Sequence, residues 1–150
     1  MIEIGSVPAL ALQDIDGGAF AIQDHRGSRV LLYFLRAPSC AQCNAAVRSM
    51  TADRASFAAD DVEVVIVVPT DAAEARVWRD KHKVPFTVVV GRDGTAHAEA
   101  GLLRKVFGAI QQSGSVLLDR QGVVRHTHIA TNPGASYRKA EVAQAIASLT

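Results

Sequence analysis

Runs of apolar residues divide the chain into predicted strands, with periodic stretches between them that predict helices. Residues 30–35 and 62–68 are almost continuously apolar and of strand length, which is typical of strands buried in the middle of a sheet. Apolar positions at helical spacing predict helices over 40–57 and 71–81, and a further strand is predicted at 86–90. The first part of the chain therefore predicts alternating strands and helices.

The two ends of the chain predict hairpins and a final helix. Short apolar stretches on either side of an Asp/Gly turn at 14–18 predict an opening β-hairpin, and a similar arrangement around 119–122 predicts a late one. Residues 102–110 predict a weak helix and 137–149 a closing helix. The expected fold is α/β, with a mixed central β-sheet flanked by helices on both faces, in one domain over 1–150.

The composition excludes several functional classes. With 49% hydrophobic and 21% charged residues, this 150-residue chain can bury a core without a metal or a disulfide scaffold. A formal net charge of +1 argues against a nucleic-acid partner. No leader pattern and no membrane-length apolar run is found, so we expect a cytoplasmic protein with no membrane partner. The composition does not separate a monomer from a homodimer.

The only two cysteines, Cys40 and Cys43, form a Cys-x-x-Cys motif after a buried strand and at the start of a helix. The helix dipole and its unpaired N–H groups stabilise a thiolate there, and a thiol one turn later can displace a mixed disulfide. The motif therefore favours a redox-active dithiol with Cys40 as the better nucleophile. A zinc site normally needs four ligands, so a metal or iron–sulfur centre completed by distant histidines is the alternative of another class.

The opening segment at 5–12 with its turn at 16–18, the strand and loop at 30–43, and the late hairpin at 115–125 share their pattern with one known family. The sequence Arg-Ala-Pro-Ser-Cys-Ala-Gln-Cys at 36–43 is similar to the Arg-Gly-x-Trp-Cys-Pro-x-Cys form of one branch. Over nearly its whole length the chain resembles the peroxiredoxin-like redoxins, the AhpC/TSA group of the thioredoxin-like fold. The resemblance implies a cofactor-free thiol–disulfide oxidoreductase with an antioxidant or redox-homeostasis role. Its substrate would be a disulfide-containing protein, a small disulfide or a peroxide, and a thiol would donate the electrons.

Three positions depart from the peroxiredoxin pattern, and one matches it. Cys43 falls where that family has its peroxidatic cysteine, and Cys40 falls where it has Thr or Ser. Arg36 replaces the proline of the peroxidase loop, and Ser113 stands where the late strand carries the active-site arginine. These departures favour disulfide exchange, with Cys40 attacking and Cys43 resolving. The alternative is a thiol-dependent peroxidase that uses Cys43 as its peroxidatic cysteine, with Arg36 supplying the missing positive charge.

Two competing alignments predict different residues opposite the cysteine motif. Pro38 and Ser39 precede the first cysteine and shape its loop, and Ser39 stands where relatives often carry Trp, so we expect an open site. In the redoxin alignment the position facing the cysteines is near Gly114 and Ser115. In a plain thioredoxin alignment Pro85 would face them as a cis-proline. The redoxin alignment is favoured because it also accounts for the opening hairpin and the last forty residues.

The remaining candidate residues have simpler interpretations. His126 and His128 alternate on a predicted strand and so share one face, where two histidines can begin a metal site, but we expect them to be exposed. Trp78 is expected to pack in the core from one face of the second helix. Three further histidines are expected at the surface: His25, His82 and His97.

Overall fold

The computed structural model describes residues 2–102, 104–105 and 110–149, and a seven-stranded sheet forms its centre. In chain order the strands are Leu12–Asp14 (β1), Ala19–Phe20 (β2), Arg29–Phe34 (β3), Val62–Val68 (β4), Thr87–Gly91 (β5), Arg104–Lys105 (β6), Ile110–Gln111 (β7), Ser113–Leu118 (β8) and Val124–Ala130 (β9). The main sheet has the order β2-β1-β5-β4-β3-β8-β9, and β6 pairs separately with β7. Strands β3, β4 and β5 are parallel, whereas β1 and β8 join them antiparallel, so the sheet is mixed as predicted.

Helices cover the two faces of the sheet unequally. They are Ala41–Ala52 (α1), Arg54–Ala59 (α2), Ala72–His82 (α3), Ala96–Ala100 (α4) and Lys139–Ala147 (α5), with 3₁₀ turns at Ile22–His25 and Pro133–Ala135. Helices α1, α2, α3 and α5 pack on one face, and α4 packs on the other. Helices on both faces and an opening hairpin of β1 and β2 confirm the predicted α/β architecture. Within the described residues, no helix has the length and apolar character needed to cross a membrane.

Strand β3 lies in the interior of the sheet, between β4 and β8, because it is apolar on both sides. All six of its residues are buried; Leu31 and Tyr33 face the α1 side of the sheet, while Leu32 and Phe34 face the α4 side. Burying side chains of this size stabilises the fold by roughly 1.5–3 kcal/mol each. Because β3 and β4 are parallel, the loop that follows β3 emerges at the carboxyl edge of the sheet, where α1 begins.

Between β5 and β8, the structure differs from the elements that the sequence predicts. The helix predicted over 102–110 is wrong where the structure describes that segment, because Arg104–Lys105 and Ile110–Gln111 form an antiparallel pair and the helix lies earlier, at Ala96–Ala100. Residues 103 and 106–109 lie outside the described residues. The helix predicted over 40–57 is divided at Asp53 into α1 and α2. That residues 1–150 form one domain stays a prediction.

His97, expected at the surface, is completely buried against the end of β3. Its Nε2 lies 2.7 Å from the Leu35 carbonyl, which can only accept, so Nε2–H is the donor. The ring meets Phe34 edge-on at 5.1 Å between centroids, and no described residue partners its Nδ1. Burial lowers the pKa of His97 to about 4, so the ring is neutral in the folded protein at pH 7.

We therefore expect stability to fall with acid through His97. The unfolded chain binds a proton at this residue below about pH 6.5, whereas the folded protein does so only near pH 4, so the stability is present above pH 6.5 and is lost toward pH 4. Two to three pKa units correspond to about 3 kcal/mol. Urea unfolding at pH 7 and pH 4.5 should show a larger loss for the wild type than for His97→Gln, which keeps an N–H donor without titrating. Equal losses in the two proteins would contradict this role.

Candidate active site

The cysteine motif lies at the junction between β3 and α1. Strand β3 ends at Phe34 and α1 begins at Ala41, which makes Cys40 the N-cap residue of the helix. The Cys40 backbone is extended, and its sulfur accepts a hydrogen bond from the Cys43 N–H at 3.2 Å. This is ordinary N-cap geometry with sulfur in place of the usual oxygen. The Cys40 N–H in turn donates to the Ala37 carbonyl at 3.0 Å and closes the preceding loop.

The two sulfurs are free thiols 2.7 Å apart, and their pKa values are shifted in opposite directions. Burial by itself would raise the pKa of Cys40, but hydrogen bonding from the Cys43 thiol, the Arg36 side chain and the Cys43 N–H outweighs it, so the pKa is lowered. Burial and the neighbouring Cys40 sulfur raise the pKa of Cys43 to about 11. The geometry therefore assigns the thiolate to Cys40 and the shared proton to Cys43.

Arg36 supplies the positive charge beside Cys40. Its side chain is half-buried, and interaction with the Cys40 sulfur raises the pKa of Arg36. Its Nε is buried and has no hydrogen-bond partner among the described residues. Arg36 thus stabilises a thiolate at Cys40 and has one N–H donor that no described group satisfies.

Cys43 rests on a buried hydroxyl network. Tyr33 lies beneath it, hydrogen bonds to its sulfur and partly offsets the effect of burial on the pKa of Cys43. The Tyr33 hydroxyl is 2.6 Å from the Ser136 hydroxyl, and the Ser115 hydroxyl donates to the Ser136 carbonyl at 2.8 Å. Burial, with the nearby Cys43, raises the pKa of Tyr33, so Tyr33 stays a neutral donor. Of these residues, the sequence predicts a site role for Ser115 but not for Tyr33 or Ser136.

A second set of hydrogen bonds, which no sequence pattern indicates, holds the loop before Cys40. The indole N–H of Trp78 donates to Asn44 Oδ1 at 2.8 Å, and Asn44 Nδ2 donates to the Pro38 carbonyl at 3.0 Å. Trp78 is buried, as its place on the apolar face of α3 predicted, but it also binds the active-site loop through Asn44. Ser39 is exposed while Cys40 is only 2% exposed, so the loop covers most of the attacking residue.

A family match agrees with this geometry. Residues 5–127, which span the opening segment, the cysteine motif and the late hairpin, match the AhpC/TSA family. The chain belongs to the AhpC/TSA family. A peroxiredoxin Q of chloroplasts from Oryza sativa subsp. japonica is 26% identical over 123 residues, which cover 82% of this chain and 57% of that protein. This AhpC/TSA chain therefore spans little more than half the length of that relative.

Solved structures with the same fold include a peroxidoxin and a disulfide oxidoreductase. The peroxidoxin BcpB from Mycobacterium tuberculosis has a TM-score of 0.77 and 16% identity, covering 99% of this chain and 97% of its own. A secreted M. tuberculosis disulfide oxidoreductase homologous to E. coli DsbE has a TM-score of 0.66 and 20% identity, covering 93% and 96%. These likenesses establish the thioredoxin-like fold that the resemblance implied.

The position opposite the cysteines follows from strand alternation in this AhpC/TSA fold. Ser113 and Ser115 lie on the α1 face of β8, whereas Gly114 points to the other face. A Cβ at Gly114 would collide with the His128 carbonyl, so glycine is needed for the close approach of β9. The Ser113 hydroxyl is buried without a partner among the described residues. Pro85 is exposed and lines a cavity with residues from the amino-terminal end of β4, at the edge away from the cysteines.

The histidine pair is less exposed than expected. His126 and His128 lie opposite Leu117 and Ser115 on β9, are half-buried, and have Nε2 atoms without described partners. The expectation of exposed strand residues is therefore wrong, because α5 packs against this end of the sheet. His25 and His82 are also half-buried. In residues 2–102, 104–105 and 110–149, no three or more His, Cys, Asp or Glu side chains converge to hold a metal.

Substituting Arg36 should make Cys40 less acidic. In Arg36→Gln the cationic neighbour of the thiolate is lost, and we expect the pKa of Cys40 to rise by about one unit, while Arg36→Lys keeps most of the effect. The pKa is measured from the thiolate absorbance of the reduced protein during a pH titration. If Arg36→Gln and the wild type titrate alike, the guanidinium does not stabilise the thiolate.

Proposed function

We propose that this protein is a thiol–disulfide oxidoreductase in which Cys40 attacks and Cys43 resolves. One observation carries the proposal: the Cys40 sulfur is the N-cap acceptor of α1 with a lowered pKa, whereas Cys43 is fully buried with its pKa raised to about 11. The thiolate is the reacting form of cysteine, so the two residues are suited to different steps. Membership of the AhpC/TSA family supports the same thiol chemistry.

The reaction balances as a two-electron exchange. The Cys40 thiolate attacks one sulfur of a substrate disulfide, forms a mixed disulfide and releases the other half as a thiolate, which takes up a proton. Cys43 then loses its proton to the solvent or the leaving group and attacks the Cys40 sulfur. The Cys40–Cys43 disulfide forms, and the second half of the substrate leaves as a thiol. A thiol electron donor then returns the pair to the dithiol.

Peroxide reduction is the second candidate, and Arg36 favours it. The Arg36 side chain interacts with the Cys40 sulfur, and its buried Nε has no partner among the described residues, so we propose the guanidinium as the donor to a peroxide oxygen. The Cys40 thiolate would displace the alcohol or water half of the peroxide and become a sulfenic acid, which the Cys43 thiol converts to a disulfide with loss of water. The variant in which Cys43 itself is peroxidatic follows from the resemblance to peroxiredoxins, which places Cys43 at that family's peroxidatic position.

The proposal extends to partners and compartment. A dithiol that cycles needs both an oxidising substrate and a thiol reductant, so we propose an antioxidant or redox-homeostasis role. The chain has only two cysteines, in a redox-type motif, and structural disulfides are rare in reducing compartments, so we propose a cytoplasmic location. Fractionation of cells that produce the protein tests the location.

Replacing each cysteine with serine separates the two roles. We expect Cys40→Ser to lose the reduction of both a model disulfide and hydrogen peroxide, because the thiolate is gone. Cys43→Ser should attack once and stop, leaving a mixed disulfide on Cys40 that intact mass spectrometry detects. Stopped-flow mixing of the reduced wild type with each oxidant then shows which of the two reacts faster.

Two outcomes would contradict the assignment. Full disulfide reductase activity in a folded Cys40→Ser protein would remove Cys40 as the nucleophile. Peroxide consumption that survives Cys40→Ser and disappears in Cys43→Ser would identify Cys43 as the peroxidatic cysteine instead. Circular dichroism of both variants provides the control for folding.

A further inference from the structure

Two cavities flank Trp78 beside the active-site loop. The larger, of about 490 Å³, runs from Pro38 and Ser39 to α3, where Val77 and Lys81 line it. The smaller, of about 320 Å³, lies between α1 and α3, and Trp78 and His82 line both. We call the surface formed by these two adjoining cavities the Trp78 groove. It begins at the residue next to Cys40, so a bound chain would reach the motif without crossing other elements.

The Trp78 groove contains an apolar side chain that the fold leaves uncovered. Val77 is 68% exposed, although it lies on a helix whose neighbouring residue Trp78 is buried. The other exposed large apolar residues in the described part of the chain, Ile4 and Val7, lie in the opening segment. An exposed apolar side chain that lines a cavity next to reactive groups is typical of an interaction surface.

The charges around the groove have one predominant sign. Arg48, Arg54 and Lys81 line it, and Glu74 is its single carboxylate. None of the three cations forms an ion pair with a described residue, whereas other surface arginines, such as Arg79 and Arg138, do. The whole chain has a net charge of only +1, so this excess of positive charge is local. Its complement is an anionic ligand.

We propose that the Trp78 groove binds an acidic, partly apolar peptide segment next to the cysteine of a protein redox partner. The segment would place an apolar side chain against Val77 and its carboxylates near Arg48, Arg54 and Lys81. The groove proposal rests on the proposed disulfide exchange and names the class of protein partner that the exchange uses. Charge complementarity favours the peptide over a second copy of this chain, because the same cationic groove on a second copy would repel it.

Groove binding brings the partner disulfide to Cys40 for the exchange. The Cys40 thiolate attacks the peptide's sulfur, a bond forms between these two sulfurs, and the other half of the partner disulfide leaves as a thiolate. Cys43 then displaces the peptide as a free thiol. The groove takes no part in bond making, so its residues should alter selectivity between substrates and leave the reaction with a small neutral disulfide unchanged.

Binding can be measured apart from the chemistry. Two synthetic nonapeptides with a central Ser in place of Cys, each with two leucines, carry either three Glu or three Lys. They are titrated into Cys40→Ser protein while the fluorescence of Trp78, the only tryptophan, is followed. We expect saturable binding of the acidic peptide at least about tenfold tighter than that of the basic one, with the difference reduced by salt. Equal binding of both peptides, or no binding of either, would overturn the groove proposal.

Charge reversal provides the matched variants. The double variant Arg48→Glu with Lys81→Glu should reverse the preference between the two peptides. Arg26→Glu makes the same kind of change at an exposed position on the opposite edge of the sheet and should leave the preference unchanged. Val77→Gln should weaken the acidic peptide severalfold but have no effect when its leucines are replaced by glycine. An unchanged preference in the double variant would overturn the proposal.

A kinetic arm distinguishes failure of the groove from failure of the proposed function. The same peptides with Cys, as mixed disulfides with a chromogenic thiol, are mixed with reduced wild-type protein. Faster reduction of the acidic peptide, lost in the double variant while a small neutral disulfide reacts as before, supports the groove. Equal rates for both peptides leave the oxidoreductase function standing and overturn the groove. If no disulfide reacts at all, the proposed function fails, and this inference with it.

Discussion

The hydrogen bond from the Cys43 N–H to the Cys40 sulfur is the interaction on which the site depends. It exists because α1 starts one residue after Cys40, so an unpaired N–H of the first helical turn points at that sulfur. The same turn brings the Cys43 sulfur within 2.7 Å and buries it completely. This local geometry, together with the Arg36 side chain, lowers the pKa of Cys40, and burial raises the pKa of Cys43.

The sheet fixes that geometry from below. Strand β3 is buried over its whole length and holds Tyr33 beneath Cys43, while His97 binds the Leu35 carbonyl at the point where the strand ends. Above it, the contact from Trp78 through Asn44 to Pro38 holds the loop to α3. The cysteines are thus placed by groups from both faces of the sheet, and movement of either support would alter their acidity.

Local pattern was sufficient to predict the junction, because an apolar strand and a helical repeat meet at the cysteines. It failed for α4, β6 and β7, which have two to five residues and so span little more than one period of any pattern. Residue type also misled: His97 and His126 are buried or half-buried by elements distant in sequence. Asn44 and Trp78 are 34 residues apart, and no local spacing indicates their hydrogen bond.

The most direct test of the account is site-resolved alkylation of the reduced wild-type protein across pH, with each cysteine followed by peptide mass spectrometry. We predict that Cys40 is labelled first, with a pH midpoint below the ordinary thiol value of about 8.5. Labelling of Cys43 should require a higher pH than labelling of Cys40, because burial and the neighbouring Cys40 sulfur raise the pKa of Cys43. Modification of Cys43 before Cys40, or identical pH profiles for the two, would contradict the assignment of the thiolate to Cys40.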